Sequence, residues 1–279
     1  MTRTTDKSQQ GASRSRALQG AIWYVALVLA SAAIATAIVI STGAQPTLLA
    51  FTLALPPALI AIGLAWREGN GAVGRLLRQV TMRPANPMWY LALLIPLAGF
   101  LAVDALAIAF GESPTGMFDA IFPAVLIVPL VVVLPAFAEE IGWRGYALPR
   151  TLTALSPLRA AIVLSIPWAT IHVPLYLPGQ LNGGSAVWSM VAQIISYSVI
   201  LTWIYVGTGG SVLMTGLFHT LLNGLTPLTN GIDPFVAWDI RGIVFPVVAI
   251  LVIVLGGFRA IQRSTEAESA TAAARPAVT

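Results

Sequence analysis

The chain alternates long, nearly continuous apolar stretches with short connectors that hold most of its arginines. A helix rises 1.5 Å per residue, so about 20 apolar residues cross a hydrocarbon core of roughly 30 Å. On that measure spans are expected at about 18–40, 46–66, 88–110, 120–138, 158–177, 186–206, 211–226 and 242–258. The fourth is short if it stops at the carboxylates Glu139 and Glu140. The seventh is short and interrupted by His219 and Asn223. The pattern predicts an all-α fold: a polytopic membrane helix bundle of about eight transmembrane helices.

Composition agrees with that class. Hydrophobic residues make up 57% of the chain and charged residues 9%, against about 25% charged in a soluble domain. With both termini cytoplasmic, 14 of the 15 basic residues fall on the cytoplasmic side, and only Arg241 lies in an outer connector. The net charge of +4 therefore reads as a positive-inside signal at a cell membrane and excludes a nucleic-acid footprint. The partners it implies are the lipid bilayer and a peptide or membrane-protein substrate. The first apolar stretch reads as an uncleaved signal anchor, since no small-residue cleavage site follows a short core. The absence of cysteine removes thiol catalysis, disulfides and Cys-ligated metals. The ends, 1–16 and 264–279, are rich in Ser, Thr, Ala and Gln and are expected to be disordered. They leave a membrane-embedded domain over 17–263. Within the first cytoplasmic connector, Arg75 and Arg78 alternate with Leu76, Leu77 and Val80, the pattern of a short helix lying along the inner surface.

Three polar clusters stand out against the apolar background, all within 137–226. The first is Glu139-Glu140-x-x-x-Arg144. An ionisable group at membrane depth costs roughly 2.5–3.5 kcal/mol even on the lenient insertion scale, so two adjacent carboxylates call for an explanation. On a helix Glu140 and Arg144 share a face in the favourable order, while Glu139 is turned about 100° away and is free to face a cavity. A paired and an unpaired carboxylate in one place suit acid–base chemistry; a salt bridge capping the span is the plainer reading. The second cluster is Trp168-x-x-x-His172, bracketed by Pro167 and Pro174. The third is His219-x-x-x-Asn223. Both have helical i, i+4 spacing, and either alone is explained by interhelical hydrogen bonding. The chain has only two histidines, and both lie in these clusters. On straight helices the depths agree poorly: about 13 Å for His219 from Gly210, about 20 Å for His172 from Arg159, and only about 7 Å for Glu139 from Arg144. A chamber open to the cytoplasm and lined by Glu139, Glu140, His172, His219 and Asn223 is nevertheless the expectation.

In that order, on successive spans, the three motifs resemble those of the CPBP family: the type II CAAX prenyl proteases and the bacteriocin-processing or immunity-type membrane proteases of the Abi group. The resemblance covers about residues 70–226 and extends to Arg144-Gly-Tyr-Ala-Leu-Pro-Arg150. Two positions depart from the family pattern: Trp168 stands where Phe is usual, and Gly142-Trp143 fills the interval between Glu140 and Arg144. Both bear on substrate fit more than on chemistry. The resemblance implies an eight-helix bundle with a cytoplasm-facing cavity and endoproteolysis near the membrane surface. It implies Glu139 as general base for water, Glu140 and Arg144 as a supporting ion pair, His172 as a water-positioning group, and His219 with Asn223 as oxyanion donors.

Three other readings stand beside it. Glu139, His172 and His219 suggest a Zn²⁺ site with an open position, although no His-Glu-x-x-His is present, and a cofactor-free mechanism is favoured. An immunity or regulatory protein would bind a peptide in the same cavity without cutting it. A proton-coupled carrier would use intramembrane Glu, His and Asp104, but it needs access from both faces.

Overall fold

A computed structural model of the chain describes residues 2–114, 129–180, 182 and 186–255, leaving aside the side chains of 2–10 and 129–130. Every regular element among the described residues is helical, with no strand. Helix α1 spans Thr2–Thr42, α2 Pro46–Ala54, α3 Pro56–Glu68 and α4 Ala72–Arg78. A 3₁₀ turn over Pro87–Leu93 leads into α5, Leu94–Ala109. After a π-helical turn at Pro129–Val133 come α6, Leu134–Glu140, a second π-helical stretch, Ile141–Ala147, and α7, Leu148–Leu152. Helices α8, Pro157–His172, α9, Val187–Gly207, α10, Val212–Gly224, and α11, Pro234–Leu255, complete the bundle.

Among the described residues six helical segments are long and apolar enough to cross a membrane: Gly11–Thr42, Pro46–Glu68, Pro87–Ala109, Pro157–Tyr176, Val187–Gly207 and Pro234–Leu255. The protein is a multi-pass membrane protein. Two expected spans are not among the six. Much of the one expected at 120–138 lies outside the described residues. The one at 211–226 is the 13-residue helix α10, too short to span unaided.

Four boundaries differ from expectation. The tail expected to be disordered over 1–16 is helical from Thr2. No proline interrupts it, the apolar span behind it supplies the costly nucleus, and Arg14 donates to the carbonyl of Ala154 at 3.1 Å. The opposite tail, 264–279, lies outside the described residues. The second span breaks between α2 and α3, where Pro56 and Pro57 deny the backbone donors that would continue the ladder. The carboxylates do not close a span, because the helical path continues through them to Leu152. The last helix begins at Pro234, with the Asp233 carboxylate accepting from the amides of Phe235 and Val236 at 2.9 and 3.2 Å. Arg241, expected in an outer connector, is therefore a helix residue, and it is buried.

Helix α9 packs along α8 and α11, α10 packs against α6, and α1 lies across α2, α3, α7 and α8. The π-helical stretch Ile141–Ala147 sits where several of these meet, with α1, α3 and α4 all against it. Tyr24 from α1 is fully buried, its ring edge-on to Trp143 at 5.3 Å. Leu76, the buried residue of the short arginine helix α4, reaches Gly145. On the outer side of the stretch Arg150 and the Tyr146 hydroxyl both donate to Glu68 of α3, at 2.6 and 2.7 Å, which ties α7 to α3.

Gly142 is the closest approach in this junction. A Cβ there would collide with the Tyr24 hydroxyl and lie 2.7 Å from the backbone carbonyl oxygen of Pro57. Backbone cannot retreat as a flexible side chain can. Gly142→Ala should lower stability by about 1–3 kcal/mol, read as a fall in the thermal unfolding midpoint in detergent. Adding Tyr24→Phe should restore only part of it, because the Pro57 contact remains.

Candidate active site

The first motif lies where an α-helix passes into a π-helix, a wide turn that is rare and often found at functional sites. Glu139 and Glu140 diverge from this point. Glu140 is fully buried, and its Oε1 accepts from Arg144 at 2.9 Å and from His219 Nδ1 at 3.0 Å. Glu139, also buried, lines a cavity, and its Oε2 accepts a 2.5 Å hydrogen bond from the indole Nε1–H of Trp168. The expected division of labour between the two carboxylates is present as geometry: one is held by a cation, the other faces the cavity.

Trp168 is the hub of the arrangement. The Arg144 guanidinium stacks over its ring at 4.3 Å. The imidazoles of His172 and His219 stand edge-on to it, with centroids at 6.0 and 5.7 Å. Helices α6, α8 and α10 thus deliver their motif residues around one indole. The Phe-to-Trp departure bears directly on the chemistry, because a phenyl ring has no N–H to give Glu139.

Close packing brings α10 near enough for this. Gly216, one turn before His219, faces the Phe137 ring of α6, which would lie 2.5 Å from a Cβ at that position. With no side chain there, His219 reaches Glu140. The Ser211 hydroxyl caps the start of α10, accepting from the amide of Met214 at 3.2 Å. The straight-helix depth count does not apply here, because the carboxylates lie within a helical path rather than at its end and π-helical stretches bracket α6.

The partners of the histidines fix their tautomers. His172 Nδ1 lies 2.7 Å from the Trp168 carbonyl oxygen, which can only accept, so Nδ1 carries the proton and Nε2 presents a lone pair. His219 Nδ1 likewise donates to the Glu140 carboxylate. Its Nε2 is left to face the cavity.

The cavity has a volume of about 360 Å³, at the lower end of the usual range for ligand sites. Glu139, Trp168, His172, His219 and Asn223 all line it. Asn223 is exposed on its wall, one turn beyond His219. Glu140 and Arg144 are buried behind it. All six residues singled out from the sequence are thus in or directly behind one site.

The sequence reading missed the opposite end. Tyr176, Gln193, Tyr197, Trp238 and Arg241 also line the cavity, with Tyr197 donating to Gln193 at 3.0 Å. Arg241 was given no part in the site because it was placed outside the last span. The Asp233-Pro234 start signal carried the information that would have put it inside a helix.

Among the described residues no three His, Asp or Glu side chains gather as a metal-binding group, so the Zn²⁺ set of Glu139, His172 and His219 is not assembled here. One oxygen of Glu139 is engaged by the indole and one nitrogen of His219 by Glu140.

Residues 121–225 match the family model of type II CAAX prenyl endopeptidases, Rce1-like. A curated relative, CAAX prenyl protease 2 of Methanococcus maripaludis, is 28% identical over 145 residues. That alignment covers 47% of this chain and 52% of the relative, so the chain spans about half the length of the curated protein it matches.

Proposed function

We propose, from the premise that the segment carrying all three motifs belongs to the Rce1-like group of CPBP-family proteases, that this protein is an intramembrane endopeptidase that cuts a peptide bond near the cytoplasmic membrane face by glutamate-activated water. The supporting observation is that Glu139, His172, His219 and Asn223 line one cavity while Glu140 and Arg144 form a buried pair behind it. The clustering of basic residues in the connectors supports a cytoplasmic opening. The name of the archaeal relative makes a CAAX-type peptide the first substrate to try.

The steps follow from the donors and acceptors. Indole donation to Oε2 leaves Glu139 Oε1 to accept a proton from water, while the His172 Nε2 lone pair accepts the water's other hydrogen and fixes its orientation. The oxygen attacks the scissile carbonyl carbon. The carbonyl oxygen takes the negative charge and accepts hydrogen bonds from the Asn223 amide and from Nε2–H of the His219 imidazolium. Glu140 accepts from both that imidazolium and Arg144, so the buried trio is net positive where the oxyanion forms and each cation has an anionic partner. Collapse of the tetrahedral intermediate expels the amine, which receives the proton held by Glu139.

Comparative peptidomics of cells carrying wild type or Glu139→Ala tests this reading. A new peptide C-terminus present only with wild type is expected. Identical peptidomes with the cellular phenotype retained would favour a binding protein instead. The reaction needs no metal, so cleavage after chelator treatment should stay within about twofold of untreated enzyme. Full loss of activity, restored by Zn²⁺, would contradict that.

A further inference from the structure

Arg241 is a buried cation that the reaction above does not use. It is 4% exposed and lines the same cavity as Glu139. Its guanidinium donates to the Thr226 carbonyl at 3.3 Å and to the Thr229 hydroxyl, both neutral. It stands over the rings of Phe100 and Trp238 at 5.1 and 5.2 Å. Its Nε has no hydrogen-bond partner among the described residues, and it forms no ion pair among them. Asp104 on α5 feels the charge of Arg241 but does not contact it, and the Asp104 Oδ1 is itself without a partner.

A guanidinium withdrawn from water without an anion against it is costly, and a ligand that supplies the anion recovers that cost. Arginine is also the side chain best shaped to grip a carboxylate, through parallel N–H donors. The position is informative. Thr226, which Arg241 touches, lies three residues beyond Asn223 on the same helical path, on the order of 5 Å along it. Arg241, Glu139 and Asn223 line one cavity, so a chain end held at Arg241 leaves the bond beside Glu139 and Asn223 a short extended stretch away, at about 3.3–3.6 Å per residue.

We propose that Arg241 is a specificity-determining residue that binds the free α-carboxylate at the C-terminus of the peptide. This deepens the protease reading and rests on it for the identity of the anion.

The test is binding to the Glu139→Gln protein, which leaves the ligand intact, in phosphatidylcholine nanodiscs, where no anionic headgroup competes. The probe is a fluorescent hexapeptide ending in farnesyl-Cys-Val-Ile-Leu, offered as the free acid and as the C-terminal carboxamide. The acid should bind roughly tenfold or more tightly than the amide. Arg241→Met in the same background should erase that preference, and Arg241→Lys should keep part of it. Equal binding of acid and amide with Arg241 in place overturns the proposal, and this comparison needs no variant at Arg241 to fold. A preference that survives Arg241→Met also overturns it. Parallel cleavage by wild type separates the two ideas. A protein that cuts the amide as fast as the acid keeps the protease and loses the carboxylate site. One that cuts neither, yet still prefers to bind the acid, keeps the site and loses the protease.

Discussion

Glu139→Gln should lower the rate of peptide cleavage by about 10²–10⁴-fold, the range by which a positioned general base accelerates a reaction. The measurement is turnover of a fluorescent peptide by protein reconstituted in liposomes. Gln retains an oxygen that can accept from Trp168, so the hub around the indole stays formed and the thermal unfolding midpoint should hardly move. What is lost is the capacity to hold a proton. A variant that folds like wild type and still turns over near the wild-type rate would place the base elsewhere.

Arg144→Met should have a large effect on the protein itself. Arg144 is 2% exposed, Glu140 not at all, and the two meet at 2.9 Å. Removing one partner of a buried ion pair leaves the other charge unpaired and costs about 3–5 kcal/mol. Stacking of the guanidinium on Trp168 is lost as well. The unfolding midpoint in detergent should fall sharply, and activity should fall with it. The double variant Arg144→Met with Glu140→Gln should recover much of the stability, because no unpaired charge remains, but not the activity, because His219 no longer has a carboxylate to hold its imidazolium. An Arg144→Met protein as stable as wild type would show that the pair contributes nothing to the fold.

The sequence made part of this site legible for identifiable reasons. Glu140 and Arg144 are four apart, as are Trp168 and His172, and His219 and Asn223, and helical geometry makes each pair share a face whatever surrounds it. The long apolar runs likewise announced the six spanning segments. What stayed hidden depends on contacts between helices or on departures from the 3.6-residue period. A π-helical stretch is not written in the apolar periodicity, so the carboxylates looked like the end of a span when they lie within a helix. The role of Trp168 needs the position of Glu139, 29 residues away in sequence. Arg241 was misplaced because charge was read as a sign of a connector, although a buried arginine can be carried inside a helix when carbonyl, hydroxyl and aromatic neighbours receive it. The poor agreement of depths was an error of the same kind, since a straight-helix count has no means of including π turns or proline breaks.

The most direct measurement is a single-turnover cleavage in H₂¹⁸O, with purified protein in liposomes and the new peptide C-terminus read by mass spectrometry. Wild type should give, in the first turnover, a carboxylate carrying one ¹⁸O, and Glu139→Gln should give almost no fragment in the same time. Fragment formed by Glu139→Gln at the wild-type rate, or a first-turnover product from wild type without the label, would contradict water attack driven by this carboxylate.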